Sequence, residues 1–344
     1  MILSVIIVSY QVKYFLEQCL FSVEKALLAI DGQTEIIVVD NHSMDGTLEY
    51  LRPRFPGVNF IALPGNRGFS HANNLALEIA RGRYILFLNP DTILPEDACR
   101  ICLSFMAATP GIGAAGVRMI DGGGRFLKES KRGYPSAWVA FCKLSGLTAL
   151  FPRSRFLSGY YLGHLPEDRT HPAPILSGAC MWVDRAVLDK AGVFDEQFFM
   201  YAEDIDLSHR IGQAGFTNYY IAETTILHFK GESTHKDARY IQLFYKAMVQ
   251  FRRKHAKGIW AKIFNQLLEI AVRIRMMLAS KTRPEQPPSG YDLILNENDS
   301  LSFKEIIKTL QEQYKGKKVL IHARDSGSAV GSPSAEGKGI AITL

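Results

Sequence analysis

RYILFLNPDTILP, residues 83–95, is the stretch that decides the fold. Its residues 84–88 form an unbroken apolar run, which is typical of a strand buried on both faces in the middle of a parallel sheet. The run stops at Asn89-Pro90-Asp91, because proline cannot continue the hydrogen-bond ladder and the next side chain is charged. Ligands of open α/β sheets bind beyond the carboxyl ends of the central strands, so Asp91 is a candidate ligand-binding carboxylate. The alternative is a turn aspartate that caps the following helix.

The composition is that of a globular protein. The chain has 344 residues, of which 47% are hydrophobic and 22% are charged. The apolar N-terminus lacks the basic lead and cleavage site of a signal peptide, and no uncharged apolar run reaches the roughly 18 residues of a spanning helix. The five cysteines are scattered, without a second Cys/His pair at zinc-binding spacing. We therefore expect reduced thiols in a cytoplasmic protein.

A strand–helix–strand pattern precedes the central stretch. Strands are predicted over residues 2–8 and 35–39, with a helix over 14–29 between them. A further strand over 58–63 and a helix over 70–80 lead into residues 84–88. Such an alternation predicts parallel strands joined by right-handed crossovers.

Polar side chains follow the ends of four of these strands. They are Tyr10, Asp40, Asn66 and Asp91. Because the carboxyl ends of parallel strands meet at one edge of a sheet, we expect these side chains to share that edge. No GxGxxG pattern follows the first strand, which counts against a nicotinamide-dependent enzyme.

The pattern weakens between residues 121 and 174. Residues 138–161 mix aromatic side chains with Arg153 and Arg155, and with Lys143. Core packing and a role facing an acceptor or a membrane are equally compatible with that composition.

Regular patterning returns at residues 175–184, where a strand is predicted. A helix follows in which Ser208 faces solvent and which ends at Gly215. One more strand over residues 219–222 leads to His228.

Residues 240–283 are strongly basic, with ten Lys or Arg and one acid, Glu269. Within them, residues 259–278 predict an amphipathic helix with one apolar and one basic face. Binding to an anionic membrane surface fits this pattern best. Contact with a second copy of the chain, as in a homodimer, is the next alternative. Nucleic-acid binding is least favoured, because no nucleic-acid-binding module accompanies the charge.

The C-terminal residues predict a linker and a small α/β unit. Three prolines mark the linker over residues 282–290. Ser302 and Glu305 form a capping box that opens a helix to about residue 315. A strand is predicted over residues 318–323, and residues 326–339 are expected to be irregular.

The ordered set of strand-end segments resembles the inverting family 2 glycosyltransferases, and more closely the bacterial rhamnosyltransferase-like branch that builds surface polysaccharides. The segments are VIIVSY, IIVVDNHSMDGT, GNRGFSHANN, FLNPDT, LSGACMWVDRAVLDKAGVFDEQFFMYAEDIDL and ILHF. The resemblance covers residues 1–235. It implies the GT-A fold, an α/β fold with a mainly parallel central sheet.

This resemblance gives three expected parts. Residues 1–238 would form the GT-A domain, residues 239–283 the basic amphipathic helical segment, and residues 284–344 the linker and a C-terminal appendage.

The resemblance implies a divalent cation, Mn²⁺ or Mg²⁺, held by Asp91 and His228. Asp91 offers a hard oxygen ligand of the kind these ions prefer. The first acid of the family's metal-binding motif is replaced here by Asn89, which leaves Asp91 as the main anionic ligand. The alternative for His228 is a structural, hydrogen-bonded histidine.

Five residues match the family's nucleotide-binding positions: Tyr10, Asp40, Asn66, Gly68 and Asn74. A carboxylate at Asp40 would accept the N3 proton of uracil or thymine, although a structural turn aspartate is the alternative. Gly68 would allow close approach of the backbone. Gln11 stands where the family commonly has Asn, so the ribose contact there departs from the pattern.

The family's catalytic pair corresponds to Glu203 and Asp204. We expect Asp204 to be the general base that takes the acceptor hydroxyl proton, and Glu203 to be a positioning residue. Asp206 is expected to be a helix N-terminal acid. Gly178 and Ala179 match the loop that lets the donor sugar lie close to the backbone.

The expected function is therefore metal-dependent, inverting transfer of a sugar from a UDP- or dTDP-linked donor, dTDP-rhamnose among them, to a saccharide or lipid-linked acceptor. The enzyme would act at the inner face of the cytoplasmic membrane. The alternatives are a sugar-1-phosphate nucleotidyltransferase, which should carry a Gly/Lys-rich phosphate loop after the first strand, and a non-catalytic nucleotide-sugar-binding protein.

Overall fold

Buried strands alternate with helices through the first quarter of the chain. The computed structural model describes residues 1–136, 138–139, 142, 145–230, 238–255, 290–332 and 339–344. The first elements are β1 (Leu3–Ser9), α1 (Lys13–Leu27), β2 (Thr34–Asp40), α2 (Thr47–Leu51), β3 (Val58–Ala62), α3 (Phe69–Ile79) and β4 (Tyr84–Leu88). The strands and longer helices expected here are confirmed, with ends that differ by at most two residues.

The elements that follow are shorter and less regular. They are β5 (Thr92–Ile93), α4 (Ala98–Ala108), β6 (Ile112–Ile120), β7 (Lys131–Arg132), α5 (Leu147–Leu150), β8 (His171–Pro172), β9 (Ile175–Leu176), β10 (Cys180–Asp184), α6 (Arg185–Ala191), α7 (Glu203–Gln213), β11 (Thr217–His228) and α8 (Ala238–His255). The strand expected over residues 175–184 is therefore split into β9 and β10, and residues 177–179 form the break.

The large sheet has the strand order β3-β2-β1-β4-β10-β6-β11-β5, and β8 also pairs with β11. Strands β1 to β4 are parallel neighbours, as are β6 and β11. Strand β10 runs antiparallel between β4 and β6. The sheet is thus mainly parallel, as expected, and the carboxyl ends of β1 to β4 lie at one edge. Helices α1 and α4 cover one face, and α3, α6 and α7 cover the other.

The C-terminal residues form a second, smaller sheet. Its elements are β12 (Leu293–Asn296), α9 (Phe303–Glu312), β13 (Val319–His322), β14 (Ser328–Gly331) and β15 (Ile340–Thr343), with the strand order β12-β13-β14-β15. The capping box of Ser302 and Glu305 is confirmed. The expectation that residues 326–339 are irregular is wrong, because β14 lies there and Val330 is fully buried. Strand β14 consists of Ser, Ala, Val and Gly, a composition that carries almost no strand signal.

This C-terminal sheet packs directly on α1. The Gln18 side chain donates to the Ser328 carbonyl (2.7 Å) and accepts from the Ala323 amide (2.7 Å). The Ser328 hydroxyl donates to the buried Glu17 carboxylate (2.7 Å). Apolar residues of the C-terminal sheet share a core with Phe229, the residue after His228. The small sheet therefore packs against Phe229, which directly follows the C-terminal end of β11.

Helix α8, the described part of the basic segment, packs on the N-terminal end of α7. Ala247 and Phe251 lie in a small core with Ile205. The buried Asp206 carboxylate accepts from Lys254 (2.8 Å) and His255 (2.6 Å) of α8. Asp206 is thus an acid of the first helical turn, as expected, and also the anion that fixes α8.

The structure differs from the sequence-based expectation at Ser208. Ser208 was expected to face solvent, but it is fully buried and its hydroxyl accepts from the Leu176 amide (3.3 Å); that side of α7 faces β9 rather than water. The amphipathic helix expected over residues 259–278 lies outside the described residues. In the part of the chain that the structure describes, no helix has the length and apolar character needed to cross a membrane.

All five cysteines are buried and unpaired with one another. This agrees with the expectation of reduced thiols.

Candidate functional site

Asp91 and His228 meet at the carboxyl edge of the sheet. Oδ1 of Asp91 lies 3.4 Å from Nε2 of His228, and Nδ2 of Asn89 lies 3.4 Å from the same nitrogen. Pairing of β5 with β11 sets Thr92 opposite His228, which explains how residues so distant in sequence converge. Asp91 and His228 are 3% and 5% exposed, so any ligand between them is held away from bulk water.

The donor atoms at this edge fit a divalent cation. Two atoms bound to one Mg²⁺ or Mn²⁺ at neighbouring positions lie roughly 3 Å apart, since each bond is about 2.1 Å long. The Asp91–His228 separation of 3.4 Å is close to that value. Within the described ranges, no third His, Cys, Asp or Glu completes a cluster of three. A cation here would therefore complete its coordination with other groups, such as water or the oxygen atoms of a bound ligand.

Two buried oxygen atoms mark the ends of β1 and β2. Ser9 and Asp40 are register partners. Oγ of Ser9 and Oδ1 of Asp40 are buried without a hydrogen-bond partner among the described residues. The other oxygen of Asp40 accepts from the Ser43 amide (2.9 Å). Since buried polar atoms are normally paired, these two are candidates for contact with a polar ligand. Tyr10 follows directly and is half-buried.

The loop before α3 is fixed by asparagine side chains. Asn41 accepts from the Arg67 amide (2.8 Å) and donates to the Gly68 carbonyl (3.2 Å), and Asn66 accepts from the Gly68 amide (3.0 Å). Gly68 has a φ of +87°, and a Cβ there would lie 2.5 Å from the Phe199 carbonyl oxygen. Close approach at Gly68 was expected to involve the nucleotide, but its observed neighbour is the protein backbone.

Asn74 is one of the five residues that match the family's nucleotide-binding positions. Its amide donates to the Phe194 carbonyl (2.9 Å) and to Glu196 (2.9 Å), and its oxygen accepts from the Phe194 amide (3.1 Å). The structure thus uses Asn74 to join α3 to residues 194–196. It does not bring this side chain to the other candidate nucleotide residues.

Asp204 lies in the first turn of α7 and is held by a cation. Its Oδ2 accepts from the Arg132 guanidinium and from the Gly178 amide (3.0 Å). Arg132 also donates to the Leu176 carbonyl (2.7 Å). The helix is entered through Tyr201 and Ala202, which have φ values of +72° and +65°. Left-handed non-glycine residues of this kind are costly and cluster at functional sites.

Residues 177–179 connect this carboxylate to the candidate metal site. The Gly178 amide bonds Asp204, and the Ala179 carbonyl accepts from the Asn89 amide (2.9 Å). A Cβ at Gly178 would lie 3.2 Å from Cβ of Asp204. Asp204, Gly178, Ala179 and Asn89 therefore form one continuous path of contacts that ends at His228.

Arg132 is a candidate site residue that the sequence did not reveal. It lies in the two-residue strand β7, where no periodic pattern distinguishes it from Lys131 or Lys128. Burial alone would lower the pKa of Arg132, but Asp204 and Tyr160 together outweigh burial and raise it. The guanidinium is therefore a permanent cation beside Asp204.

Glu203 occupies a different environment from its neighbour. Its side chain is buried, and Oε2 has no hydrogen-bond partner among the described residues. Burial, and next the charge of Asp204, raise the pKa of Glu203 to about 8. A carboxyl group whose pKa is raised in this way keeps its proton at neutral pH, so Glu203 does not place a second negative charge beside Asp204.

We expect Glu203→Gln to change how stability depends on pH. The native pKa of Glu203 is raised from 4.5 to about 8, so the native state binds the extra proton and loses stability as pH rises through that window. The Gln variant should gain on the order of 2–4 kcal/mol relative to the unsubstituted protein between pH 5 and pH 8.5. Urea denaturation across this range measures the gain. Glu49→Gln, at an exposed helix position, is the control. An unchanged pH dependence in Glu203→Gln would assign the titration to another group.

Comparisons with known proteins identify the family of this chain. The family model described as "Glycosyl transferase family 2" matches residues 4–192 of the chain. The N-acetylglucosaminyl-diphospho-decaprenol L-rhamnosyltransferase of Mycobacterium tuberculosis is 29% identical over 301 residues, covering 82% of this chain and 94% of the relative. Rhamnosyltransferase WbbL of Escherichia coli K12 is 26% identical over 235 residues, covering 65% of this chain and 82% of the relative.

A solved structure of similar shape is the mannosyltransferase PcManGT from Pyrobaculum calidifontis in complex with GDP-Man and Mn²⁺. It has a TM-score of 0.48 and 20% sequence identity, over 81% of this chain and 71% of that one.

Proposed function

The chain belongs to glycosyl transferase family 2, and we propose that it transfers a rhamnosyl group from a dTDP- or UDP-linked donor to a lipid-linked saccharide with inversion at the sugar carbon. The names of the M. tuberculosis and E. coli relatives support the sugar. The M. tuberculosis relative is matched over 94% of its length, and its name supports a lipid diphosphate acceptor.

The observation that carries the proposal is the contact path from Asp91 and His228 to Asp204. An inverting transferase must bind a diphosphate leaving group and deprotonate an acceptor hydroxyl on the opposite face of the sugar. The path runs through Gly178, whose amide bonds Asp204, and Ala179, whose carbonyl accepts from Asn89.

We assign the proton transfer to Asp204. Oδ2 accepts from both Arg132 and the Gly178 amide, whereas Oδ1 accepts from the Ile205 amide (2.8 Å). We therefore assign the acceptor hydroxyl proton to Oδ1, which carries one of these hydrogen bonds against two on Oδ2. As the proton moves to Asp204, the acceptor oxygen bonds the sugar carbon, and the bond from that carbon to the diphosphate oxygen breaks. Glu203, protonated at neutral pH, adds no second negative charge beside the base.

Asp91 and His228 would hold a divalent cation, with Asn89 beside them. When bound there, Mn²⁺ or Mg²⁺ supplies charge stabilisation to the departing diphosphate. Asp40 would bind the base through Oδ1, which is buried and lacks a protein partner in the described part of the chain. Tyr10 and Ser9 would lie near the ribose.

The two alternative functions are not favoured. Family membership disfavours a nucleotidyltransferase. A binding protein without activity would have no need for an ion-paired carboxylate opposite the candidate metal site.

The nucleotide assignment predicts a selective change in thermal stability. At about 100 times Kd, a bound nucleotide stabilises the native state by about 2.7 kcal/mol. With Mn²⁺ present, dTDP and UDP should raise the melting temperature of the unsubstituted protein, whereas GDP should not. Asp40→Ala should lose both shifts. Preferential stabilisation of the unsubstituted protein by GDP would overturn the assignment of Asp40.

Transfer itself is tested with dTDP-rhamnose and a polyprenyl-diphosphate N-acetylglucosamine acceptor, with mass spectrometry of the product. The expected product carries one added deoxyhexose. No transfer from either dTDP-rhamnose or UDP-sugars, in the presence of Mn²⁺ and of donor binding, would reject the proposed acceptor class.

A further inference from the structure

An exposed apolar patch lies in the segment whose sequence left core packing and membrane contact equally open. Its members are Trp138, Leu150, Phe151 and Phe156, with exposed fractions of 41%, 72%, 52% and 69%. Single exposed apolar side chains are ordinary, but several together on one surface mark an interaction site. Core packing is therefore wrong for these four residues.

A ring contact and hydrogen bonds within the protein fix the residues of the patch. The Trp138 and Phe156 rings lie 4.8 Å apart, and the Trp138 indole donates to the Phe156 carbonyl (2.9 Å). The Thr148 hydroxyl of α5 donates to the Leu157 carbonyl (2.9 Å). These bonds bring α5, which ends with Leu150, against the residue that follows Phe156.

The segment that carries the patch has charge of one sign. Residues 130–166 contain no Asp or Glu. Arg153 and Arg155 are exposed and lie in sequence between Phe151 and Phe156. Aromatic and aliphatic side chains flanked by arginines fit the headgroup boundary of a bilayer that carries negative charge.

The patch is tied to the candidate active site. Lys131 donates to the carbonyls of Leu162 (3.2 Å) and Leu165 (2.5 Å), and the Gly133 amide donates to the Tyr160 carbonyl (2.9 Å). The residue between Lys131 and Gly133 is Arg132, the partner of Asp204. The segment that carries the patch thus starts at the cation that holds the candidate base.

We propose that the apolar patch, with Arg153 and Arg155, binds an anionic phospholipid bilayer and sets Asp204 at the membrane surface. The choice of a membrane deepens the proposed function, since a lipid-linked acceptor lies in the bilayer. This proposal places the membrane contact on the patch and not on α8. There, Lys254 is already paired with Asp195 (2.6 Å) and Asp206 (2.8 Å).

Vesicle flotation of the full chain tests the inference. The unsubstituted protein should bind vesicles of phosphatidylcholine with 30% phosphatidylglycerol. It should bind vesicles of phosphatidylcholine alone more weakly. Phe151→Ser/Phe156→Ser should lower the partition coefficient at least roughly 10-fold. Arg153→Gln/Arg155→Gln should lower it roughly 10–30-fold at low salt and reduce its salt dependence. Leu28→Ser/Met44→Ser removes two apolar residues that are 85% and 76% exposed elsewhere, and should bind as the unsubstituted protein does.

Binding by both patch variants equal to that of the control would overturn the inference. So would a concentration-dependent dimer in sedimentation velocity that only the patch variants lose, because a second copy would then occupy the patch. Donor binding by calorimetry and transfer to a short-chain, water-soluble acceptor should be unchanged in the patch variants. Absence of transfer in all proteins, with intact vesicle binding, would count against the proposed function and not against the patch.

Discussion

Asp204→Asn is expected to remove transfer while leaving donor binding within a few-fold of its original value. A positioned general base contributes typically about 10²–10⁴-fold to the rate, so the loss should fall on kcat. Asn has nearly the same shape as Asp and can still bond the Gly178 amide through its oxygen. Turnover with saturating donor, together with calorimetry of dTDP binding, separates the two effects. Asp189→Asn, which removes a carboxylate from an exposed position of α6, is the charge-matched control.

Arg132 provides an internal check on this assignment. If it acts through Asp204, Arg132→Gln should lower kcat roughly 10–100-fold in the unsubstituted protein but less than about 3-fold in the Asp204→Asn background. Arg132→Lys should recover part of the loss, since it keeps the charge but not the geometry that reaches both Asp204 and the Leu176 carbonyl. Additive losses, accompanied by a higher KM for the donor, would instead assign Arg132 to donor binding. Near-original turnover in Asp204→Asn would move the base to another residue.

Asp91→Asn is expected to abolish metal-dependent donor binding while the fold survives. Asp91 is the anion at the candidate metal site, since Asn89 is neutral, and the charge of the ligand set strongly controls cation affinity. Mn²⁺ affinity should fall on the order of 100-fold or more, and dTDP should bind the variant equally with and without Mn²⁺. Calorimetric titration of Mn²⁺ in the presence of dTDP measures both.

His228→Gln should weaken Mn²⁺ binding less than Asp91→Asn, because the carboxylate remains. The melting temperature of each variant without ligands verifies the fold, and Asp189→Asn again serves as the control. Unchanged Mn²⁺ affinity in Asp91→Asn would exclude the site at this edge of the sheet.

Much of the fold follows from the sequence because its strands are long apolar runs. Residues 84–88 and the strands around them have no other favourable environment than a doubly covered sheet. By contrast, β14 pairs through backbone groups that any residue possesses. The docking of α8 depends on Asp206 meeting Lys254 and His255, and such a meeting of distant charges leaves no local pattern.

The residues of the candidate site also fall into those that the sequence predicts and those that it does not. Asp40 and Asp91 follow strand ends, so topology alone brings them to one edge. Arg132 is reached only through tertiary folding of an irregular segment, and it resembles any other surface cation in the sequence. The role of Asn74 in nucleotide binding stays a prediction. The sequence gives no sign of the contacts that the structure adds, in which the Asn74 side chain pairs with both backbone groups of Phe194.

The packing of the C-terminal sheet on α1 constrains the order in which the nascent chain can fold. Gln18 bonds Ser328 across 310 residues of sequence, and ribosomes add about 5–20 residues per second. Roughly 15–60 s therefore separate the synthesis of the two partners. During that interval Gln18 lacks its partners Ser328 and Ala323, and Glu17, which also accepts from the Tyr50 hydroxyl (2.9 Å), lacks the Ser328 hydroxyl. The final packing of α1 must therefore await the emergence of β14 from the ribosome exit tunnel.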